Sequence, residues 1–314
     1  MSSKKSARVV VAEFMDADAV TALAARFDTC YDATLVDRRD ELKQRVADAD
    51  ALIVRNRTQV DRDLLDAALK LRVVGRLGVG LDNIDVAACD ARRIEVIPAT
   101  GANAQAVAEY VIAAAMLLLR GAYASSAAVG EGAWPRAKLS SGREVAGKTL
   151  GIVGFGGIGR LTARLARALG MNVQGHDAQI SSDAPIWAAE SVLCCGLDSL
   201  LASADVVTLH VPLTVTTRHL LDAQRIARMK PGSVLINSAR GGVVDEAALA
   251  DALTRGHLGG AALDVFEHEP LVAGSALAGC PNLILTPHIA GVTAESNVRV
   301  STLIADKVSA ALQR

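Results

Sequence analysis

One segment near the middle of the chain constrains the fold more than any other: residues 151–159 read GIVGFGGIG. The apolar stretch TLGIVG leads into three spaced glycines, Gly154, Gly156 and Gly159, and the helical pattern RLTARLARAL follows them. A strand that turns through closely spaced glycines into a helix is typical of the first β-α unit of a parallel sheet. The segment therefore predicts an α/β fold.

The same turn has the chemistry of a dinucleotide site. The first glycine allows the tight turn, the second lets backbone approach a pyrophosphate, and the third lets the helix pack on the strand. The helix N-terminus, with Gly157 and Ile158, offers free N–H groups to phosphate. The next strand ends at Asp177, where an acid can bind ribose and repel a 2′-phosphate, so we expect NAD rather than NADP. The alternative is a glycine-rich turn without a ligand.

Strand-like and helical patterns alternate over the whole chain. Apolar runs such as residues 51–55 and 72–78 alternate with helical patterns such as residues 39–49, and a second series begins at Lys148. This alternation predicts parallel sheets covered by helices, and 314 residues suit two domains. Residues 103–129 are Ala-rich and apolar nearly all round, so we expect a helix buried between domains or against a second subunit.

Composition excludes several classes of protein. The net charge is −1 and the basic residues are scattered, which argues against nucleic-acid binding. The most apolar run, Val111–Leu119, is too short to span a bilayer, and no signal peptide is evident, so we expect a soluble, cytoplasmic protein. Five cysteines at irregular spacing suit neither a zinc site nor a disulfide framework, and we expect no metal.

Three segments near the C-terminus each follow a predicted strand: residues 237–249, 263–270 and 285–291. Ligands bind at the carboxyl ends of strands in open α/β sheets, so Arg240, Glu269 and His288 can reach one crevice. A guanidinium can bind the carboxylate of a 2-keto acid, a histidine can exchange the C2 hydroxyl proton, and a carboxylate can orient the histidine. Taken singly, each residue is also compatible with an ordinary surface or loop position.

Several short motifs along the chain resemble those of one enzyme family. GFGGIG, HVPLTVTTR, NSARGGVVDEAAL, DVFEHEP and TPHIAG together resemble the D-isomer-specific 2-hydroxyacid dehydrogenases, as do RLGVGLDNID and GANAQAVAEY. The resemblance implies two Rossmann- or flavodoxin-like parallel-sheet domains with a cleft between them. Residues 1–100 and 290–314 would form the substrate domain, and residues 101–289 the NAD-binding domain.

The resemblance also assigns roles to residues. Arg240, Glu269 and His288 would be catalytic, and backbone N–H groups of Val79 and Gly80 would bind the substrate carboxylate. The Ala-rich helix and the Trp134 loop would form a homodimer interface. The implied cofactor-binding set is Asn103, Gly154, Gly156, Gly157, Ile158, Gly159, Asp177, His210, Val211, Pro212, Thr217, Ser238, Ala239, Arg240, Asp264, His288 and Gly291.

The choice of acid depends on the other end of the substrate. ALIVRNRTQV and RLGVGLDNID resemble phosphoglycerate dehydrogenases, and EFMD with ATLVD resembles (S)-sulfolactate dehydrogenases. This likeness implies that Arg55 binds a second anion on C3, phosphate or sulfonate; an interdomain salt bridge is the ordinary alternative. We therefore expect oxidation of (S)-3-sulfolactate to 3-sulfopyruvate, with D-3-phosphoglycerate or reduction of hydroxypyruvate or glyoxylate as alternatives. Formate oxidation and a non-enzymatic NAD-sensing, corepressor-like protein are more distant ones.

Overall fold

The structure, a computed structural model, describes residues 7–314. It separates into two compact units: the described residues up to Asn103 together with Val292–Arg314, and Ala104–Gly291. Each unit has its own parallel sheet, so the predicted fold class, two parallel-sheet α/β domains, is confirmed. The roles assigned to the two domains stay predictions.

The first unit has a five-stranded parallel sheet in the order β2-β1-β3-β4-β5. Its strands are β1 (Arg8–Val11), β2 (Asp28–Tyr31), β3 (Ala51–Val54), β4 (Val73–Arg76) and β5 (Glu95–Pro98). Its helices are α1 (Ala17–Ala24), α2 (Arg39–Val46), α3 (Arg62–Ala67), α4 (Val86–Ala91) and the C-terminal helix, α13 (Ala294–Gln313). A short 3-10 helix covers Leu35–Asp37.

Helices cover both faces of this sheet because its central strands are apolar on both sides. Every residue of β3 is buried. Leu42 and Leu64 of α2 and α3 pack on one face, and Leu23 of α1 with Ile304 of α13 packs on the other. The N-terminus of α13 is fixed by a capping box, in which Thr293 and Ser296 each accept the other's backbone N–H.

The second unit has a seven-stranded parallel sheet in the order β12-β11-β10-β9-β6-β7-β8. Its strands are β6 (Thr149–Val153), β7 (Asn172–His176), β8 (Leu193–Cys194), β9 (Val206–Leu209), β10 (Val234–Asn237), β11 (Gly260–Leu263) and β12 (Leu283–Leu285). The chain proceeds from β6 through β7 to β8 on one side, then crosses back to β9 on the other. The order reverses at β6 and β9, which is where doubly wound sheets bind nucleotides.

The helices of this unit run from α5 to α12. They are α5 (Ala104–Arg120), α6 (Ser126–Gly130), α7 (Arg136–Leu139), α8 (Gly157–Ala168), α9 (Pro185–Ala189), α10 (Leu197–Ser203), α11 (Ala223–Arg228) and α12 (Glu246–Thr254). A 3-10 helix covers Tyr123–Ser125.

The Ala-rich helix differs from its prediction in two ways. It ends at Arg120 rather than continuing towards residue 129, because Gly121 takes a left-handed conformation with φ 65°. Its inner face, including Val111 and Leu118, packs against α8 and the sheet. Its outer face is exposed in the single chain, where Met116 is 43% and Leu117 38% accessible. One face of the helix is therefore buried within this unit, and burial of the outer face between domains or against a second subunit stays a prediction.

Within residues 7–314, no single helix is long and apolar enough to cross a membrane. One pair, Ala104–Arg120 with Tyr123–Gly130, passes the same test jointly by length and composition, with a bend of 69°. All five cysteines are free thiols. The described part of the chain contains no cluster of three or more His, Cys, Asp or Glu side chains that could hold a metal ion.

Candidate functional site

In the glycine turn of the second unit (residues 154–159), each of the three spaced glycines has a different structural role. Gly154 has φ 95°, and a Cβ there would lie 2.6 Å from the carbonyl oxygen of His210. A Cβ on Gly159 would lie 2.3 Å from the carbonyl oxygen of Gly154, so α8 could not pack as it does. A Cβ on Gly156 would meet nothing within 4 Å. Open space in front of Gly156, at the N-terminus of α8, fits a pyrophosphate group.

Asp177 lies directly after β7, as the sequence indicates. Its Oδ2 accepts the Phe155 N–H at 2.7 Å, and its Oδ1 accepts the Gln179 N–H at 2.8 Å. Each carboxylate oxygen can accept a further hydrogen bond, so these contacts are compatible with ribose binding. Asp177 therefore also orients the glycine turn, a role that the sequence pattern did not predict.

His210, Val211 and Pro212 follow β9, next to the glycine turn across the sheet reversal. Burial lowers the pKa of His210 to about 4, so its ring is neutral near pH 7. The ring Nε2 lies 3.2 Å from the hydroxyl of Thr208. Thr217 closes the loop beyond Pro212 by donating its hydroxyl to the Pro212 carbonyl at 2.6 Å.

Two predicted cofactor-binding side chains present buried polar atoms without a hydrogen-bond partner among the described residues. They are Oγ of Ser238 in the second unit and Oδ1 of Asn103 in the first. A buried polar atom without a partner is costly unless a ligand or water satisfies it. In the second unit, the Ser238 hydroxyl and the space at Gly156 fit the binding of a polar cofactor such as NAD; a cofactor contact of Asn103 stays a prediction.

Glu269 and His288 form a hydrogen-bonded pair at the carboxyl ends of β11 and β12. His288 Nδ1 lies 2.8 Å from Glu269 Oε2, and Glu269 Oε1 accepts the Phe266 N–H at 3.1 Å. Partial burial acts to raise the pKa of Glu269. The hydrogen bond and charge of His288, the Phe266 amide and the charge of Arg240 outweigh it, so that the pKa is lowered. The carboxylate is thus ionised and fixes the orientation of the imidazole ring, leaving Nε2 as the other proton-exchanging atom.

Arg240 lies on the turn that follows β10, and its side chain is partly buried. The buried Asn237 shapes this turn: its Nδ2 donates to the Arg240 carbonyl at 2.9 Å, and its Oδ1 accepts the Ala239 N–H at 3.1 Å. The guanidinium donates to the Ala239 carbonyl at 2.6 Å. Because its charge acts on Glu269, the cation and the Glu269–His288 pair belong to one electrostatic site.

Asp264, which was predicted to line the cofactor site, is 1% exposed. It accepts hydrogen bonds from residues 285–291, the histidine loop. Its Oδ1 accepts from the Thr286 hydroxyl at 2.6 Å and the Ile289 N–H at 2.8 Å, and its Oδ2 accepts the Ala290 N–H at 2.7 Å. Its contact with a cofactor stays a prediction. Gly291, also predicted for the cofactor site, ends the same loop.

In the first unit, Arg55 follows β3. Its Nη2 donates to the Asn297 side chain at 2.8 Å, and its guanidinium lies over the Phe14 ring, 5.8 Å from the centroid. Burial lowers the pKa of Arg55, and the charge of Glu13 opposes that effect. Among residues 7–314, no carboxylate is within ion-pair distance of Arg55, so an anion-binding cation remains available.

Val79 and Gly80 follow β4 on the turn after Gly78. Their backbone N–H groups make no hydrogen bond with the described part of the chain. Unpaired N–H groups at such a turn can bind a carboxylate.

Two contributions were missed at the sequence level. Glu13 is 4% exposed and accepts the backbone N–H groups of Arg55, Arg57 and Thr58 at 2.8, 3.2 and 3.0 Å, which fixes the Arg55 loop. The sequence signal for it was an acidic residue two positions after the end of the buried strand β1. The contact of Tyr110 with Thr286 at 2.7 Å joins residues 176 positions apart, so no local pattern indicates it.

Comparison with known proteins agrees with this geometry. Residues 112–290 match the family model of the D-isomer specific 2-hydroxyacid dehydrogenase, NAD binding domain. The chain is 55% identical over 304 residues to the (S)-sulfolactate dehydrogenase of Chromohalobacter salexigens, covering 97% of this chain and 98% of that protein. It is 44% identical over 275 residues to the D-3-phosphoglycerate dehydrogenase of Mycobacterium tuberculosis, covering 87% of this chain and 51% of that enzyme.

Comparison with a solved structure supports the same family fold. The crystal structure of a glyoxylate reductase from Paecilomyes thermophila superimposes with a TM-score of 0.86 at 31% identity, covering 98% of this chain and 96% of that one. The chain spans about half the length of the phosphoglycerate dehydrogenase it matches. The expected oxidoreductase class and NAD cofactor are confirmed. This chain belongs to the D-isomer-specific 2-hydroxyacid dehydrogenases, NAD-dependent oxidoreductases that act on CH–OH groups.

Proposed function

We propose that this enzyme oxidises (S)-3-sulfolactate to 3-sulfopyruvate with NAD. Two observations support the choice of acid: the likeness to a sulfolactate dehydrogenase over nearly the full length of both chains, and the character of Arg55. The second observation carries the proposal, because it concerns the part of the substrate that differs between acids.

Arg55 is a partly buried cation without a carboxylate partner among the described residues. Burying an unpaired charge is unfavourable, and an anionic ligand would offset that cost. Its Nε and Nη1 make no hydrogen bond with residues 7–314, so they can bind sulfonate or phosphate oxygens. Lactate and glycerate have no such group.

The Glu269–His288 hydrogen bond and the charge of Arg240 acting on Glu269 support a proposed role for each catalytic residue. Arg240 binds the substrate carboxylate and polarises the oxygen on C2, while the N–H groups of Val79 and Gly80 bind the carboxylate. His288 removes the proton of the C2 hydroxyl, and Glu269 holds its ring and stabilises the imidazolium that forms. Bound NAD would supply the acceptor for the hydride that leaves C2. In the reducing direction, His288 returns the proton to the C2 oxygen.

For the cofactor, we propose that the turn containing Gly156 and the N-terminus of α8 bind the pyrophosphate, with Asp177 on the adenosine ribose. A carboxylate at this position repels the 2′-phosphate of NADP. The other proposed contacts are Asn103, Ile158, His210, Val211, Pro212, Thr217, Ser238, Ala239, Asp264 and Gly291.

Steady-state kinetics on four acids test the substrate proposal: (S)-3-sulfolactate, D-3-phosphoglycerate, D-glycerate and D-lactate, each with NAD. Sulfolactate should give the highest kcat/KM. Arg55→Ala should raise KM for sulfolactate by about 10- to 100-fold, the loss expected for charge-assisted hydrogen bonds, and should leave kcat/KM for lactate unchanged. Arg57→Ala is the matched control, because Arg57 is an exposed cation of the same loop that pairs with Asp37.

Each alternative has its own outcome. A higher kcat/KM for D-3-phosphoglycerate would support that substrate, which the likeness to phosphoglycerate dehydrogenase also suggests. Equal rates on acids with uncharged tails would contradict the second-anion assignment and favour a hydroxypyruvate or glyoxylate reductase. Tight NADH binding without oxidation of any acid would indicate an NAD-sensing protein.

We also propose that the protein is a cytoplasmic homodimer. Exposed apolar side chains support an interface on the second unit: Met116, Leu117, Tyr123, Val129 and Trp134, which is 78% accessible. Light scattering should give twice the chain mass, and Trp134→Glu should shift the mass towards a monomer. Val215→Glu, at a 97% exposed residue outside this patch, is the control and should leave the dimer intact. Free thiols are compatible with a reducing compartment, which cell fractionation tests.

A further inference from the structure

Helix α5 contacts the histidine loop through the side chain of Tyr110. The Tyr110 hydroxyl lies 2.7 Å from Oγ1 of Thr286, and this Oγ1 lies 2.6 Å from Oδ1 of Asp264. Thr286 is two residues before His288. A chain of hydrogen bonds therefore connects a long helix of the second unit to the loop that positions the proposed base.

The directions of these hydrogen bonds follow from the available hydrogens. Thr286 donates its single hydroxyl hydrogen to Oδ1 of Asp264. The Thr286 oxygen must then accept from Tyr110, which requires a protonated phenol. Burial raises the pKa of Tyr110, the hydrogen bond to Thr286 lowers it, and the charge of Asp264 raises it; the net change is upward. The phenol therefore stays protonated and donates.

The loop needs such support because His288 has φ 55°, in the left-handed region that residues other than glycine rarely adopt. Surrounding contacts must hold a side chain that depends on this backbone conformation. Asp264 supplies most of them: its carbonyl accepts the His288 N–H at 2.9 Å, and its carboxylate accepts the N–H groups of Ile289 and Ala290. The Thr286 hydroxyl fixes one oxygen of that carboxylate from the other side of the loop.

We propose that Tyr110 is a positioning residue for His288, acting through Thr286 and Asp264 to hold the ring against Glu269. The inference rests on the proposed function, in which His288 exchanges the proton of the C2 hydroxyl. It assigns to α5 a role in catalysis in addition to its packing against α8.

Kinetics of three variants test the proposal. Tyr110→Phe removes the donor, Thr286→Val removes the link, and Thr286→Ser restores it. Loss of one hydrogen bond that orients a proton-transfer group should lower kcat by about 10-fold in the first two variants. KM for the acid and Kd for NADH should each change by less than about 2-fold, because neither Tyr110 nor Thr286 is a proposed ligand contact. Thr286→Ser should recover most of kcat.

The control is Tyr31→Phe, the same substitution at a 40% exposed tyrosine of β2 whose hydroxyl donates to the Met15 carbonyl at 3.4 Å, and it should behave as wild type. NADH affinity is measured by the fluorescence of Trp187, which stacks on Phe155 of the glycine turn with ring centroids 4.5 Å apart. The fluorescence of bound NADH gives a second reading of the same affinity. Wild-type kcat in Tyr110→Phe would overturn the proposal, as would a fall in kcat matched by lost NADH binding or by failure of Thr286→Ser to recover it.

A second readout does not depend on activity. In protein labelled with ¹⁵N-histidine, the ring nitrogen shifts of His288, assigned with a His288→Gln variant, report the hydrogen bond of Nδ1 to Glu269. They should move in Tyr110→Phe and stay unchanged in Tyr31→Phe; unchanged shifts in both would overturn the positioning role. If the wild-type enzyme oxidises no acid, the proposed function fails, and the ring shifts still decide the role of Tyr110.

Discussion

Replacing Glu269 with glutamine should damage catalysis more than it damages binding or stability. The two carboxylate oxygens serve two donors: Oε1 accepts the Phe266 N–H and Oε2 faces Nδ1 of His288. An amide has one acceptor oxygen, so either the Phe266 N–H or Nδ1 of His288 faces an N–H₂ group instead. A hydrogen bond to a charged group contributes about 1.5–3 kcal/mol. Because the Glu269 side chain is 35% exposed and solvent weakens the interaction, we assign about 2 kcal/mol to the Glu269–His288 hydrogen bond.

That free energy corresponds to a fall of about 30-fold in kcat, with KM for the acid and Kd for NADH nearly unchanged. Steady-state rates on sulfolactate, NADH titration and the melting temperature measure the three quantities. Glu267→Gln is the control, because it makes the same change two residues away. The Glu267 carboxylate accepts the Glu246 backbone N–H and lies near His219 Nε2, rather than near His288. A Glu269→Gln enzyme that keeps more than half of the wild-type kcat would refute the reasoning.

Three further predictions follow from the second unit. Gly159→Ala should weaken NADH binding by at least about 10-fold, because its Cβ would meet the Gly154 carbonyl at 2.3 Å; unchanged affinity by tryptophan fluorescence would contradict this. The pKa of His210 is lowered from 6.5 to about 4, so its contribution to the stability of the NAD-free protein is complete above pH 6.5 and is lost as the pH falls towards 4. This contribution to the free energy of unfolding is about 3 kcal/mol in total. In His210→Gln, the free energy of unfolding by urea should therefore depend less on pH between 4 and 6.5; the same pH dependence as in wild type would contradict the prediction. Asp177→Ser should lower the ratio of kcat/KM for NAD over NADP by about 10-fold or more, whereas a constant ratio would remove Asp177 from cofactor selection.

Most of the fold was predictable because buried parallel strands are apolar over their whole length. Strands β3, β9 and β10 are buried at every residue and were evident as apolar runs. Strand β2, Asp28–Tyr31, was missed because it is an edge strand whose side chains are exposed or partly buried, so neither an apolar run nor alternation marks it. Strand β8 has two residues, too few for a pattern.

Much of the candidate site was predictable for a similar reason. Glu269 and His288 follow neighbouring strands of one parallel sheet, whose carboxyl ends meet at the same edge, and the structure pairs them. The supports of these residues were not predictable. Tyr110 contacts Thr286 across 176 positions, and the role of Glu13 depends on how the Arg55 loop folds over it. Such contacts depend on tertiary packing, which local spacing does not encode.

The most direct test of the account follows the hydrogen on C2. (S)-3-sulfolactate carrying deuterium at C2 is oxidised with NAD, and the NADH is analysed by mass spectrometry and proton NMR. The account predicts one deuterium per NADH, none of it in solvent, and loss of this transfer in His288→Ala with NADH affinity retained. Deuterium released to water, or NADH formed without deuterium, would contradict hydride transfer from C2.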